Sequence, residues 1–146
     1  MKGFGDLYKS ENIRKKKPKT SKEQIINQAI QLHLKGNINE AKINYQYCIK
    51  QGFNDQRVFS NYGSILQDLG QLEEAEKYFR KAIELQPDFA EFHCNLGSLL
   101  RDLGQLKEAE KYFRKAIKFK PDLIEAHFTL GNILKDLNKL QDAEIS

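Results

Sequence analysis

Two consecutive 34-residue segments, together Gln56 to Leu123, carry the same residue at 21 of their 34 positions. LGQLEEAEKYFRKAIELQPD at Leu69–Asp88 returns as LGQLKEAEKYFRKAIKFKPD at Leu103–Asp122. A fixed period of that length means that no unit buries its apolar face alone, so neighbouring units must stack to make a core. The register extends both ways. Repeat one is residues 22–55, repeat two 56–89 and repeat three 90–123, and a fourth starts at Ile124 and reaches Ser146 about two-thirds of the way through.

Within each unit, position 8 is small (Ala29, Gly63, Gly97, Gly131) and position 20 is alanine (Ala41, Ala75, Ala109, Ala143). Small residues at these two points let two helices approach closely. Large residues at position 11 (Leu66, Leu100) and position 24 (Tyr45, Phe79, Phe113) fill the space around them. Each repeat therefore reads as a helical hairpin. Position 15 is Gly36, Gly70, Gly104 and then Asn138, residues that accept the left-handed backbone ending a helix. Pro87 and Pro121 end the second helices, and Gly52, Asn54 and Asp55 take that role in repeat one. Ser21 followed by Gln24 is a capping box, so helix begins there and runs to about Lys35. In repeat four the same spacing predicts a turn at Asn138 and a second helix that breaks off at Ser146. That leaves Leu130, Leu134 and Leu137 partly uncovered, so the expectation is a fragment of a longer protein, or an end that is covered by a partner or by self-association.

The small–apolar–small pattern with proline at position 32 resembles the tetratricopeptide repeat, from Lys22 to the end of the chain. The resemblance implies an all-α fold, a right-handed superhelix of antiparallel helix pairs. It also implies that the first helix of each repeat lines a concave groove, with positions 2, 5, 6, 9, 12 and 13 exposed to it. Those positions supply the candidate peptide-binding residues Asn61, Ser64, Asn95, Ser98, Arg101, Asn132 and Lys135. A side-chain amide offers a donor and an acceptor to one peptide unit, and Asn61 and Asn95 are one repeat apart. The pair resembles the asparagine ladder of the O-linked N-acetylglucosamine transferase repeats, which hold extended polypeptide, although Thr129 breaks the series. The alternative is that both asparagines bond only water or neighbouring helices. The two-carboxylate clamp that captures acidic chaperone tails is not matched, because Glu91 or Glu125 stands where a cation is needed. Asp68, Asp102 and Asp136, each just before a turn, read as helix-end residues.

Composition narrows the function classes. Residues 1–21 hold seven basic and two acidic residues, whereas the rest of the chain holds 17 basic and 18 acidic. The basic character is thus confined to a leader read as solvated and disordered, which carries no aromatic stacking platform and argues against nucleic acid as a partner. No apolar run spans a membrane and no secretory signal opens the chain, so a cytoplasmic protein is expected. Cys48 and Cys94 have neither disulfide-framework nor metal-ligand spacing. His93 and His127, at position 4 of successive repeats, read as rings packed between helices. With no phosphate loop, nucleophile elbow or HExxH, no cofactor and no catalysis are expected. The reading is a non-catalytic scaffold with a protein or peptide partner and, as the alternative, the recognition arm of a longer enzyme such as a transferase.

Overall fold

The computed structural model describes residues 20–145, so the basic segment at residues 1–19 lies outside the described residues. Seven helices and no strand are found among those described: α1 Lys22–Leu34, α2 Ile38–Lys50, α3 Gln56–Asp68, α4 Leu72–Leu85, α5 Ala90–Asp102, α6 Leu106–Phe119 and α7 Ile124–Ile145. Each helix packs on the one before it, and α3 also touches α5. The first helices of the repeats therefore form an inner layer and the second helices an outer one, the arrangement of a right-handed α-solenoid.

Local chemistry sets these boundaries. The Ser21 hydroxyl accepts from the Gln24 amide at 3.2 Å, while the Gln24 side chain accepts from the Ser21 amide at 2.8 Å. Gly36, Gly70 and Gly104 take φ of 80°, 76° and 77° at the hairpin turns, and Gly52 takes 75° after repeat one. The residues before the prolines, Gln86 and Lys120, leave the helical region (φ −141° and −138°), as the proline ring requires of its predecessor. Asp55 caps α3 by accepting from the amides of Arg57 at 2.9 Å and Val58 at 3.4 Å.

Packing follows the small positions. A Cβ placed on Gly63 would lie 2.8 Å from the Phe79 ring, and one on Gly97 would lie 2.8 Å from the Phe113 ring. Each phenylalanine thus sits in a hollow that only glycine leaves open. Leu66, Leu96, Leu99 and Leu100 are buried around these contacts.

Repeat four departs from the sequence expectation. No turn forms at Asn138: α7 continues unbroken to Ile145, and no described residue other than glycine has positive φ. Left-handed backbone costs a residue with a Cβ about 1–2 kcal/mol, and packing must offset that cost. Here it does not, since residues 138–145 are all exposed. Leu130, expected to be partly uncovered, is buried against α6 at 8% exposure, whereas Leu134 and Leu137 are half-buried. The uncovered face is that of Ile124 and Phe128, 82% and 71% exposed, and nothing lies within 4 Å of a Cβ built on Gly131. No helix among the described residues is long and apolar enough to cross a membrane.

Candidate functional site

The inner layer encloses an open pocket of about 440 Å³ between α1, α3 and α5. Ile30 contributes from α1; Gln56, Arg57, Ser60 and Asn61 from the first two turns of α3; Gln86 and Phe89 from the connector; and Glu91, Phe92 and Asn95 from α5. The Phe89 and Phe92 rings lie 4.6 Å apart at 60° and make one apolar wall. Among the sequence candidates, Asn61 and Asn95 are brought together here; Ser64, Ser98, Arg101, Asn132 and Lys135 are not among the walls.

Both asparagines also serve the fold. Asn95 donates its amide to the Ser60 hydroxyl at 3.1 Å, joining repeats two and three. The Asn61 side chain reaches the Tyr45 hydroxyl, whose pKa is pushed up to about 12 by burial against a smaller opposing effect of Asn61. His33 Nδ1 is 3.3 Å from the same hydroxyl. An amide has more bonding capacity than one such contact uses, so one donor and the carbonyl of Asn95 stay available to the groove.

The outlying candidates have other surroundings. Ser64 donates to the Ser60 carbonyl at 3.1 Å, a bond back into its own helix. Ser98 is half-buried on α5, and Asn132 and Lys135 are exposed on α7. Arg101 is exposed with Nε 3.9 Å from Asp102, and Gln67 donates to Asp102 at 2.8 Å across the repeat boundary. Asp68 and Asp102 end α3 and α5, while Asp136 lies within the continuous α7.

Charge in the pocket wall is engaged internally. Arg57 makes a two-pronged contact with Glu23 (Nη1 and Nη2 at 2.9 and 3.0 Å) and another with Asp55 (Nε and Nη2 at 3.1 and 2.9 Å). The bonds to Glu23 and then Asp55 hold the guanidinium pKa above its usual value. Burial pulls the Asp55 carboxyl upward, but its bonds to Arg57 outweigh that and keep it below the usual range. Glu91 accepts from Lys120 at 3.1 Å. Sequence reasoning did not single out Arg57 or Glu23. The signal was present: Glu23, Arg57, Glu91 and Glu125 all occupy position 2 of their repeats, and like positions stack in a solenoid.

Both position 4 histidines bond a carbonyl of the preceding turn. His93 is 3% exposed, stacks on Tyr112 and Phe119 at 6.0 and 5.3 Å, and donates through Nε2 to the Pro87 carbonyl at 2.6 Å. His127 makes the same bond to Pro121 at 2.7 Å but is exposed, so the packed-ring expectation holds for His93 and is corrected for His127, against which no later helix packs among the described residues. Position 4 histidine thus ties the inter-repeat turn to the next helix. Cys48 is fully buried. Burial, aided by Glu125 and Glu91, pushes the Cys94 thiol up to about 11, so it is protonated and unreactive at neutral pH. No cluster of three potential metal ligands occurs among the described residues.

Comparison with known proteins gives the family. A search of curated protein sequences finds no match. Solved structures share the fold. MamA is 18% identical with a TM-score of 0.75 over 82% of this chain and 70% of that one. The first TPR of Spaghetti (RPAP3), bound to an HSP90 peptide, is 20% identical with a TM-score of 0.74 over 80% and 93%. The O-GlcNAc transferase of Thermobaculum terrenum is 21% identical with a TM-score of 0.72 over 77% of this chain but 22% of its own. The tetratricopeptide repeat family model matches residues 55–122, the two most regular units of the stack, and over that span the chain consists of tetratricopeptide repeats.

Proposed function

We propose that the array is a non-catalytic protein-interaction scaffold that holds an extended polypeptide along its concave groove. The observation that carries this reading is the pocket itself. Side-chain amides of Gln56, Asn61, Gln86 and Asn95 stand beside the apolar Ile30, Phe89 and Phe92 on the inner face of three successive repeats. Amides pair with peptide backbone and the apolar wall covers side chains, which is what an extended chain presents. The RPAP3 domain, which shares this fold, is bound to an HSP90 peptide, and that supports a peptide as the class of partner.

The test is a phage-displayed random dodecapeptide library selected on the full chain, followed by binding of the selected peptides to variants. Phe89→Ser removes the outer apolar wall while placing a favourable helix-capping residue ahead of α5, and Asn95→Ala removes the amide. Each weakens selected peptides by roughly tenfold, the scale of one buried side chain or one well-placed hydrogen bond. Selected peptides indifferent to both variants would place binding elsewhere.

The likeness to the Thermobaculum terrenum transferase supports a second reading, in which the array is the recognition arm of a longer enzyme. That reading requires the coding sequence to continue past Ser146 into a catalytic domain, which sequencing the transcript decides.

A further inference from the structure

The pocket between α1, α3 and α5 contains two charged side chains, Arg57 and Glu91, and each is committed to a neighbour. Arg57 is the informative one. A guanidinium facing a groove is a natural receptor for a carboxylate, because its planar fork of donors matches two oxygens at once. This one has both edges filled from within the chain. Glu23, one repeat earlier on α1, takes Nη1 and Nη2, and Asp55, the cap of α3, takes Nε and Nη2. The Arg57, Glu23 and Asp55 group carries net charge −1, so an approaching acidic side chain meets repulsion as well as occupied donors. Glu91 is likewise held by Lys120 and is no ready receptor for a cation.

The remaining surface is uncharged: Ile30, Phe89 and Phe92 are apolar, and the amides beside them suit the backbone. We propose that this pocket is the specificity subsite of the groove, that it takes a large uncharged side chain, aliphatic or aromatic, from an extended polypeptide, and that Glu23 closes it to acidic ligands by occupying Arg57. The proposal rests on the groove-binding reading above. Glu23 is a specificity-determining residue here because of where its carboxylate stands, and removing it uncovers the outer edge of Arg57 without touching the apolar wall.

The test runs the same dodecapeptide selection on the unaltered chain and on Glu23→Ala. Synthetic peptides carrying Phe, Leu, Lys or Glu at the consensus subsite position are then titrated by fluorescence anisotropy. Glu23 is an exposed side chain in the first turn of α1, so the variant keeps the fold, which circular dichroism verifies. With the unaltered chain, Phe or Leu at that position binds about tenfold or more tightly than Glu or Lys. With Glu23→Ala, the Glu peptide gains about threefold to tenfold, the range for one exposed charge-assisted contact, while the Phe peptide is unchanged. Peptides that bind the groove with no dependence on the guest residue, or a Glu peptide that Glu23→Ala does not improve, overturn the subsite and leave groove binding standing. A selection that returns no binder to either chain overturns groove binding and the subsite with it.

Discussion

Gly63 and Gly97 show how far one atom decides the spacing of this stack. A methyl at Gly97 meets the Phe113 ring at 2.8 Å with the Ala109 carbonyl at 3.4 Å, so the ring and the helix behind it must move apart. Gly97→Ala should therefore destabilise the array by about 1–3 kcal/mol, the usual range for overpacking. Gly131, at the equivalent position, has open space around it, and Gly131→Ala should be neutral or stabilise by up to about 1 kcal/mol through helix propensity. Urea denaturation of the two variants beside the parent separates these signs, and a loss at Gly131 equal to that at Gly97 would show that packing against phenylalanine is not the cause. Asp55 makes a second prediction of this kind. Its carboxyl is 13% exposed and held below the ordinary 3.8 by Arg57 and the α3 amides. A carboxyl depressed in the folded state contributes stability that is complete above its unfolded value and is lost as pH falls through its folded one. Stability should thus decline below about pH 4, and Asp55→Asn, which keeps a capping oxygen but no charge, should flatten that decline. Denaturation midpoints of the two proteins between pH 7 and pH 2.5 measure the difference; parallel curves would assign the acid sensitivity to other groups.

At the scale of the element, what ends a helix was legible wherever the signal was local and failed where it was not. Ser21 with Gln24, Gly36, Gly70, Gly104 and the two prolines each act on their own backbone, and the helices start or stop where those residues put them. Asn138 had the same register but a weaker preference, and a turn there needs a partner surface to hold the following segment. Without it the right-handed helical conformation continues through Ile145. Two measurements follow from this contrast. Gly104→Val forces a β-branched residue into φ 77° with no clash from neighbours, so its cost is backbone strain alone, about 1–2 kcal/mol or more, readable as a lower thermal midpoint. A chain ended after Leu137 removes, of the described residues, only exposed helix and should keep its stability within about 0.5 kcal/mol. A large loss on that truncation would mean that residues 138–145 pack in solution in a way the straight α7 does not show.

Over the whole molecule, the fold was readable because a 34-residue period fixes the hairpins, whereas the pocket was only half readable because its key contacts join different repeats. Glu23 meets Arg57 across 34 residues and Asn95 meets Ser60 across 35, and outside the pocket Gln67 meets Asp102 across 35 as well. The period gives the candidate columns, but which neighbours in a column bond depends on the superhelical offset between units. That offset appears only once they are stacked. The same nearest-neighbour construction governs how the molecule comes apart. In a linear array stability is the sum of each unit and its interfaces, so a unit covered on two sides opens less readily than one covered on one. Helices α3 to α6 have packed neighbours both before and after them, while α1 and α7 end the described stack. Repeat one is also less regular than those that follow, with α1 burying only Ile26 and Ala29 where α3 buries seven residues. Native-state hydrogen exchange should accordingly show α3 to α6 exchanging at least tenfold more slowly than α1, with residues 138–145 of α7 the fastest of all helical amides. If α1 were as protected as α3, the Glu23–Arg57 contact and the Asn61–Tyr45 contact would be coupling repeat one to the array more strongly than its small buried face accounts for. Glu23→Ala would then lower protection throughout α1 and α2.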